Sequence, residues 1–195
     1  MKNKGNKITF IGILISILAI AARLVFYLGF VSRIIQLPFM QVSEFVGYLN
    51  IAFTLGLAVC LIGYVFKFLG EKDVFDIITI ATILVSIIVS FGIITIPILG
   101  ITDGILQNAL VNMFLLGIGI NVIKKGDTSQ GAIMLLAFAF LTVVFPLGLQ
   151  EIFGEYLNVT IMQILTDTEL FIVFLFNEVV MLSTLIFASF TASSD

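Results

Sequence analysis

Long apolar stretches separated by short polar breaks run along almost the whole chain. A bilayer core about 30 Å thick is crossed by roughly 20 apolar helical residues, and unsatisfied backbone groups are too costly in lipid for other structures. Six stretches are long enough, and no segment between them could form a separate soluble domain. The pattern therefore predicts an all-α polytopic membrane protein, a six-transmembrane-helix bundle forming one domain over residues 1–195. The predicted spans cover residues 8–30, 45–69, 74–98, 105–123, 131–149 and 168–192.

The placement of lysine residues predicts how the bundle is oriented. If the spans alternate in direction, seven lysines fall on one side: Lys2, Lys4, Lys7, Lys67, Lys72, Lys124 and Lys125. Basic residues accumulate on the cytoplasmic side of membrane proteins, so we expect both termini in the cytoplasm and the chain in the plasma membrane. The apolar run continues past Ala19-Ile20-Ala21 to Phe30, which favours an uncleaved first span over a signal peptide.

Composition agrees with this pattern and excludes several kinds of chemistry. Of the 195 residues, 61% are hydrophobic and 11% are charged, whereas a soluble domain carries about 25% charged residues. The chain has no histidine, which excludes histidine-ligated haem, histidine-based zinc or copper sites and a histidine general base. No catalytic pattern is present, so we expect no enzyme activity, no cofactor and no metal. Scarce arginine and an acidic outer face argue against binding to nucleic acid.

Two charged residues, Arg23 and Glu178, lie deep inside predicted spans and form a candidate intramembrane polar site together with Asn177. Arg23 lies about 10 Å from the outer end of the first span, and Glu178 lies about 15 Å from the same surface in the sixth. A buried charge needs a partner, so one interpretation is an Arg23–Glu178 ion pair. In the other, Arg23 extends outward to Glu44 or lipid phosphate, while Glu178 is protonated or bonded to Asn177. An ion pair could serve transport or act as a packing clamp.

Hydroxyl and amide side chains in the third and fourth spans could line a polar path. The third span carries four hydroxyls at helical spacing, and the fourth opens with three amides. Membrane serine and threonine more often bond to the preceding turn and allow close packing, so we favour packing over a hydrated path. The candidate residues are Thr79, Thr82, Ser86, Ser90, Gln107, Asn108 and Asn112.

Small residues follow one side of the second span and predict a helix-packing seam. Such residues let two helix backbones approach closely, within the chain or between protomers. The lone cysteine belongs to this seam and is expected to be a packing residue without special reactivity. The seam consists of Ala52, Gly56, Cys60, Gly63 and Gly70.

The longest predicted outer connection covers residues 150–167 and alternates acidic with apolar residues. We expect a partly ordered loop that covers the helix ends; a short amphipathic helix along the membrane interface is the alternative. Asn158-Val159-Thr160 within it fits the N-glycosylation pattern, which matters only if the source cell glycosylates that side.

Three functions remain open at this level. The least favoured is an intramembrane enzyme that uses carboxylates alone, because paired catalytic groups are absent. We favour a non-catalytic subunit or helix-packing component of a membrane assembly, with the lipid bilayer and other membrane subunits or further copies as partners. The alternative is a small transporter or channel that uses the Arg23/Glu178 site. A transporter should bring its polar residues to a cavity near mid-membrane, whereas a subunit should form a closed, filled bundle.

Overall fold

The computed structural model describes residues 2–35, 38–91, 109–147 and 161–193. Within these ranges the chain is all-helical and contains no β-strand, which confirms the predicted class. The helices are α1 (Lys2–Val31), α2 (Phe39–Glu71), α3 (Val74–Ser90), α4 (Met113–Lys124), α5 (Thr128–Ala139), α6 (Ile161–Thr166) and α7 (Thr168–Ser193), with a π-helical turn at Phe140–Val144 continuing α5.

Four helical segments are long and apolar enough to cross a membrane. They coincide with the predicted first, second, fifth and sixth spans. The two remaining predicted spans, 74–98 and 105–123, extend into residues 92–108, which lie outside the described residues. Their described parts are the shorter apolar helices α3 and α4. The four segments that are long enough to cross a membrane are Asn3–Val31, Gln41–Glu71, Thr128–Leu147 and Thr168–Phe190.

The six longer helices form a ring. In chain order α1 packs on α2, α2 on α3, α3 on α4 and α4 on α5, and α7 closes the ring by contacting both α5 and α1. Large apolar side chains also cover the outer surface, as expected of helices that face lipid. Buried apolar side chains from all six helices fill the centre of the described bundle, among them Ile13, Leu57, Ile83, Phe114, Met134 and Leu185.

Aspartate side chains begin three of the helices. Asp73 accepts a hydrogen bond from Phe75 N at α3 (3.1 Å), and Asp127 accepts one from Gln130 N at α5 (3.3 Å). Asp167 caps α7 in the same way. Each carboxylate bonds an amide that has no partner inside its helix, so these residues set where the chain re-enters the bundle.

Part of the long predicted outer connection packs onto the helix ends. The short helix α6 buries Leu165 in an apolar cluster with Phe26 and Tyr27 of α1 and Val42 and Val46 of α2. This segment therefore covers the end of the bundle at which α1 finishes and α2 begins. Residues 148–160, which include the Asn158 glycosylation pattern, lie outside the described residues.

Candidate functional site

Arg23 joins three helices through its guanidinium group. Its Nε and Nη2 atoms donate hydrogen bonds of 3.0 and 2.6 Å to Oε2 of Glu178 on α7. Its Nη1 atom donates to Oδ1 of Asn50 on α2. The Arg23 side chain is 16% exposed and that of Glu178 is 7% exposed, so the ion pair is largely buried inside the bundle. Of the two arrangements that the sequence left open, the structure contains the ion pair. We call these three residues the arginine cluster.

The arginine cluster connects helices that lie beside one another in the ring. Charge on α1 is neutralised by charge on α7, and Asn50 adds a contact to α2 that the sequence did not indicate. Asn177, the neighbour of Glu178 on α7, is half-buried, and no hydrogen bond between described residues joins it to the cluster. This geometry clamps α1, α2 and α7 together.

The hydroxyl face of α3 packs directly against α4. Thr79 Oγ1 donates to the carbonyl oxygen of Gly117 (3.0 Å), and Ser86 Oγ accepts a hydrogen bond from Phe114 N (2.9 Å). The same hydroxyls also bond to carbonyls one turn back on α3, and Thr82 lies against Gly117. Because these groups are buried between two helices, they act as helix contacts in the described structure and do not line an open path.

The remaining members of the proposed polar path do not form a connected set. Ser90, at the end of α3, is exposed. Asn112, which precedes α4, is buried, and its Oδ1 atom has no hydrogen-bond partner among the described residues. Gln107 and Asn108 lie outside the described residues. The described part of the chain therefore gives the amides no shared cavity near the middle of the bundle.

The small residues of α2 pack closely against α1. A Cβ atom added at Gly12 of α1 would lie 2.5 Å from Cys60 N and 2.7 Å from the carbonyl oxygen of Gly56, distances too short for real atoms. A Cβ atom at Gly63 would lie 2.6 Å from Thr9 N. The two backbones therefore touch without intervening side chains, and the glycine seam lies within one chain.

Three other seam residues differ in their surroundings. Cys60 is buried, and its Sγ atom is 3.5 Å from the carbonyl oxygen of Thr9 on α1. Ala52 is partly buried against the central core. Gly70, near the end of α2, is exposed and lies outside the buried part of the seam. The tight contact with α1 therefore runs from Gly56 to Lys67, and Gly70 is not buried in it.

A polar cavity of about 140 Å³ lies at the opposite end of the bundle from α6. Here α1 begins, and short turns join α2 to α3 and α4 to α5. We call it the lysine-end cavity, because three lysines line it together with three acidic residues and two asparagines. The lining residues are Asn6, Lys67, Glu71, Asp73, Asp76, Asn121, Lys124 and Lys125.

Several of these polar side chains are buried, and their partners come from other helices. Asp76 of α3 accepts a hydrogen bond of 2.9 Å from Asn121 Nδ2 of α4, and each residue is under 5% exposed. Asp73 forms an ion pair with Lys124. The Lys67 side chain is buried, with its ammonium nitrogen 4.4 Å from the centre of the Tyr64 ring. The cavity is therefore a partly open, charged site to which several helices contribute buried polar groups.

Sequence reasoning interpreted these residues differently. The sequence pattern places Lys67 among the flanking charges that orient the bundle and indicates no separate role for Asp76. A signal was nevertheless present in the positions of these residues near helix ends. Lys67 lies about one turn before the end of α2, Asp76 lies in the first turn of α3, and Asn121 lies in the last turn of α4. Because consecutive spans alternate in direction, these three helix ends lie at the same side of the bundle. Their positions could therefore have predicted that the three polar side chains lie at a similar depth.

Comparisons with protein-family models, with characterised proteins and with solved structures give no match to this chain. Evidence on function therefore comes from the chain's own residues. The arginine cluster and the lysine-end cavity are the polar features that the described structure offers for this purpose.

Proposed function

We propose that this chain is a non-catalytic component of a membrane assembly, held in the bilayer by its apolar helices. The filled centre of the bundle is the observation that supports this proposal most directly. Apolar side chains occupy the middle of the described ring, where a carrier needs a polar cavity near mid-membrane. The arginine cluster and the α3 hydroxyls bind neighbouring helices, so their polar groups are used in holding the bundle together.

The proposal of a partner subunit is supported by a shallow apolar groove on the outside of the bundle. It lies between α5 and α7 and has a volume of about 330 Å³. Ala137 and Ser183 are small residues in its lining, and they would allow another backbone to approach closely. Leu136 and Phe187 provide apolar walls. We assign this groove to a transmembrane helix of a partner subunit.

Filling the groove should release the partner. Leu136→Trp places a large side chain in the groove, and we expect it to dissociate a complex of defined stoichiometry extracted from the native membrane in mild detergent. Native mass spectrometry measures the loss. Leu18→Trp is the matched control, because Leu18 is exposed on α1 away from the groove (62%, against 70% for Leu136). A chain that is extracted alone, or a complex equally sensitive to both substitutions, would contradict the assignment.

A small transporter that uses Arg23 and Glu178 is the second candidate, favoured by the presence of charged groups inside spans. The two functions predict opposite results in a flux experiment. The purified chain, reconstituted in liposomes, should show no proton, cation or anion flux above empty liposomes if it is a non-catalytic component. A flux that Glu178→Gln abolishes would identify a transporter and would overturn the proposed function.

A further inference from the structure

The amide group of Asn6 is buried at the lysine-end cavity without a hydrogen-bond partner. Asn6 is 3% exposed and lines the cavity, and neither its Nδ2 nor its Oδ1 atom bonds to a described residue. A buried amide without partners carries a substantial free-energy penalty, because it has lost the hydrogen bonds that it makes in water. One donor and one acceptor at the cavity are therefore available to a bound molecule.

The charges around Asn6 limit what that molecule can be. The cavity has equal numbers of lysines and acidic residues, and one of each, Lys67 and Asp76, is buried. A simple anion would meet the carboxylates of the lining, and a simple cation would meet the ammonium groups. A molecule that carries both charges can place each beside its opposite. It would also satisfy both atoms of the Asn6 amide.

The volume of the cavity favours a small molecule. The cavity has a volume of about 140 Å³, several times what one water molecule needs, so it has room for a small molecule and not for a large one. We propose that the lysine-end cavity binds a small zwitterion, a molecule about as large as glycine with one ammonium and one carboxylate group. The Asn6 amide donates to the carboxylate and accepts from the ammonium group, while Lys67 and Asp76 supply the opposite charges.

This binding site is independent of the proposed function. A component of a membrane assembly can bind a solute at one end of its bundle without carrying it across, since the filled centre does not need to open. Loss of glycine binding would leave the partner complex untouched, and absence of a partner complex would leave glycine binding untouched. The experiments on the two proposals can therefore fail separately.

Equilibrium binding of radiolabelled glycine to the full chain in detergent tests the proposal. We expect saturable binding that unlabelled glycine displaces, whereas acetate and methylammonium, which each carry half of its charges, displace it at least about tenfold more weakly. Asn6→Leu should weaken glycine binding by about tenfold or more, because the apolar side chain offers neither donor nor acceptor. Asn3→Leu is the matched control, since Asn3 is exposed on the same helix.

Three results would overturn the inference. The first is the absence of saturable glycine binding, which would mean that the cavity holds water only. The second is displacement by acetate or methylammonium as effective as displacement by glycine. The third is glycine binding by folded Asn6→Leu that equals the wild type. If Asn6→Leu does not fold, the displacement series on the wild-type chain decides the question by itself.

Discussion

Replacement of Glu178 by leucine is expected to lower the free energy of unfolding by about 3–5 kcal/mol, because Arg23 would remain largely buried without its counter-charge. Only the contact with Asn50 would be left to the guanidinium group. Equilibrium unfolding in mixed micelles, followed by circular dichroism, measures the change. Glu169→Leu is the control: Glu169 is exposed on the same helix, so the expected change is within about 0.5 kcal/mol.

The double variant Arg23→Met/Glu178→Leu separates the ion pair from a general sensitivity of these positions. Removing both charges leaves no buried group without a partner, so the double variant should be more stable than Glu178→Leu alone. The losses of unfolding free energy in Arg23→Met and Glu178→Leu, added together, should therefore exceed the loss in the double variant by about 0.5–3 kcal/mol. Simple addition of the single losses would show that Arg23 and Glu178 do not stabilise the bundle as a pair.

Two glycines of α2 should respond to the same substitution with opposite signs. Gly56→Ala is expected to destabilise the chain by about 1–3 kcal/mol, because its Cβ atom would lie 2.8 Å from backbone atoms of Gly12 and Ser16 on α1. At Gly47 a Cβ atom meets nothing within 4 Å. Gly47→Ala should therefore stabilise α2 by about 0.5–1 kcal/mol, since alanine has the higher helix propensity.

Unfolding in the same mixed micelles compares the two glycine variants directly. Both substitutions add one methyl group to the same helix, so differences in detergent binding or in the unfolded chain largely cancel. Equal effects at Gly47 and Gly56 would mean that α1 and α2 are not in close contact at the seam. A loss of stability in Gly56→Ala together with a gain in Gly47→Ala would identify steric contact with α1 as the cause of the loss.

The apolar pattern predicted the helical class and four of the long helices, because hydropathy along a chain reports which segments can be surrounded by lipid. It also indicated that Arg23 and Glu178 lie at compatible depths, since rise per residue converts position in a span into depth. It left the partners of each polar group open. Asn50 was not identified as the third member of the arginine cluster because nothing in the sequence shows which helix lies beside α1.

The lysine-end cavity was overlooked for a related reason. Lysines near the ends of spans orient most membrane proteins, so Lys67 was interpreted as a flanking charge. Its burial follows from the close approach of α1, which Gly5 and Gly63 permit; a Cβ atom at Gly5 would lie 2.7 Å from Lys67 Cγ. That approach also buries Asn6. A contact between two helices thus converted surface residues into the lining of a cavity.

The amino-acid sequence alone determined that this protein is made of apolar helices suited to lipid, because that property depends only on which residues follow one another. The tertiary structure alone decided which polar groups meet. Arg23 and Glu178 are 155 residues apart, and their contact depends on the order of helices in the ring and on the rotation of each about its axis. The apolar surfaces of these helices resemble one another, so the sequence says little about which helices are neighbours or how each is rotated. The pairing of polar groups is therefore decided only by the packing of the whole bundle.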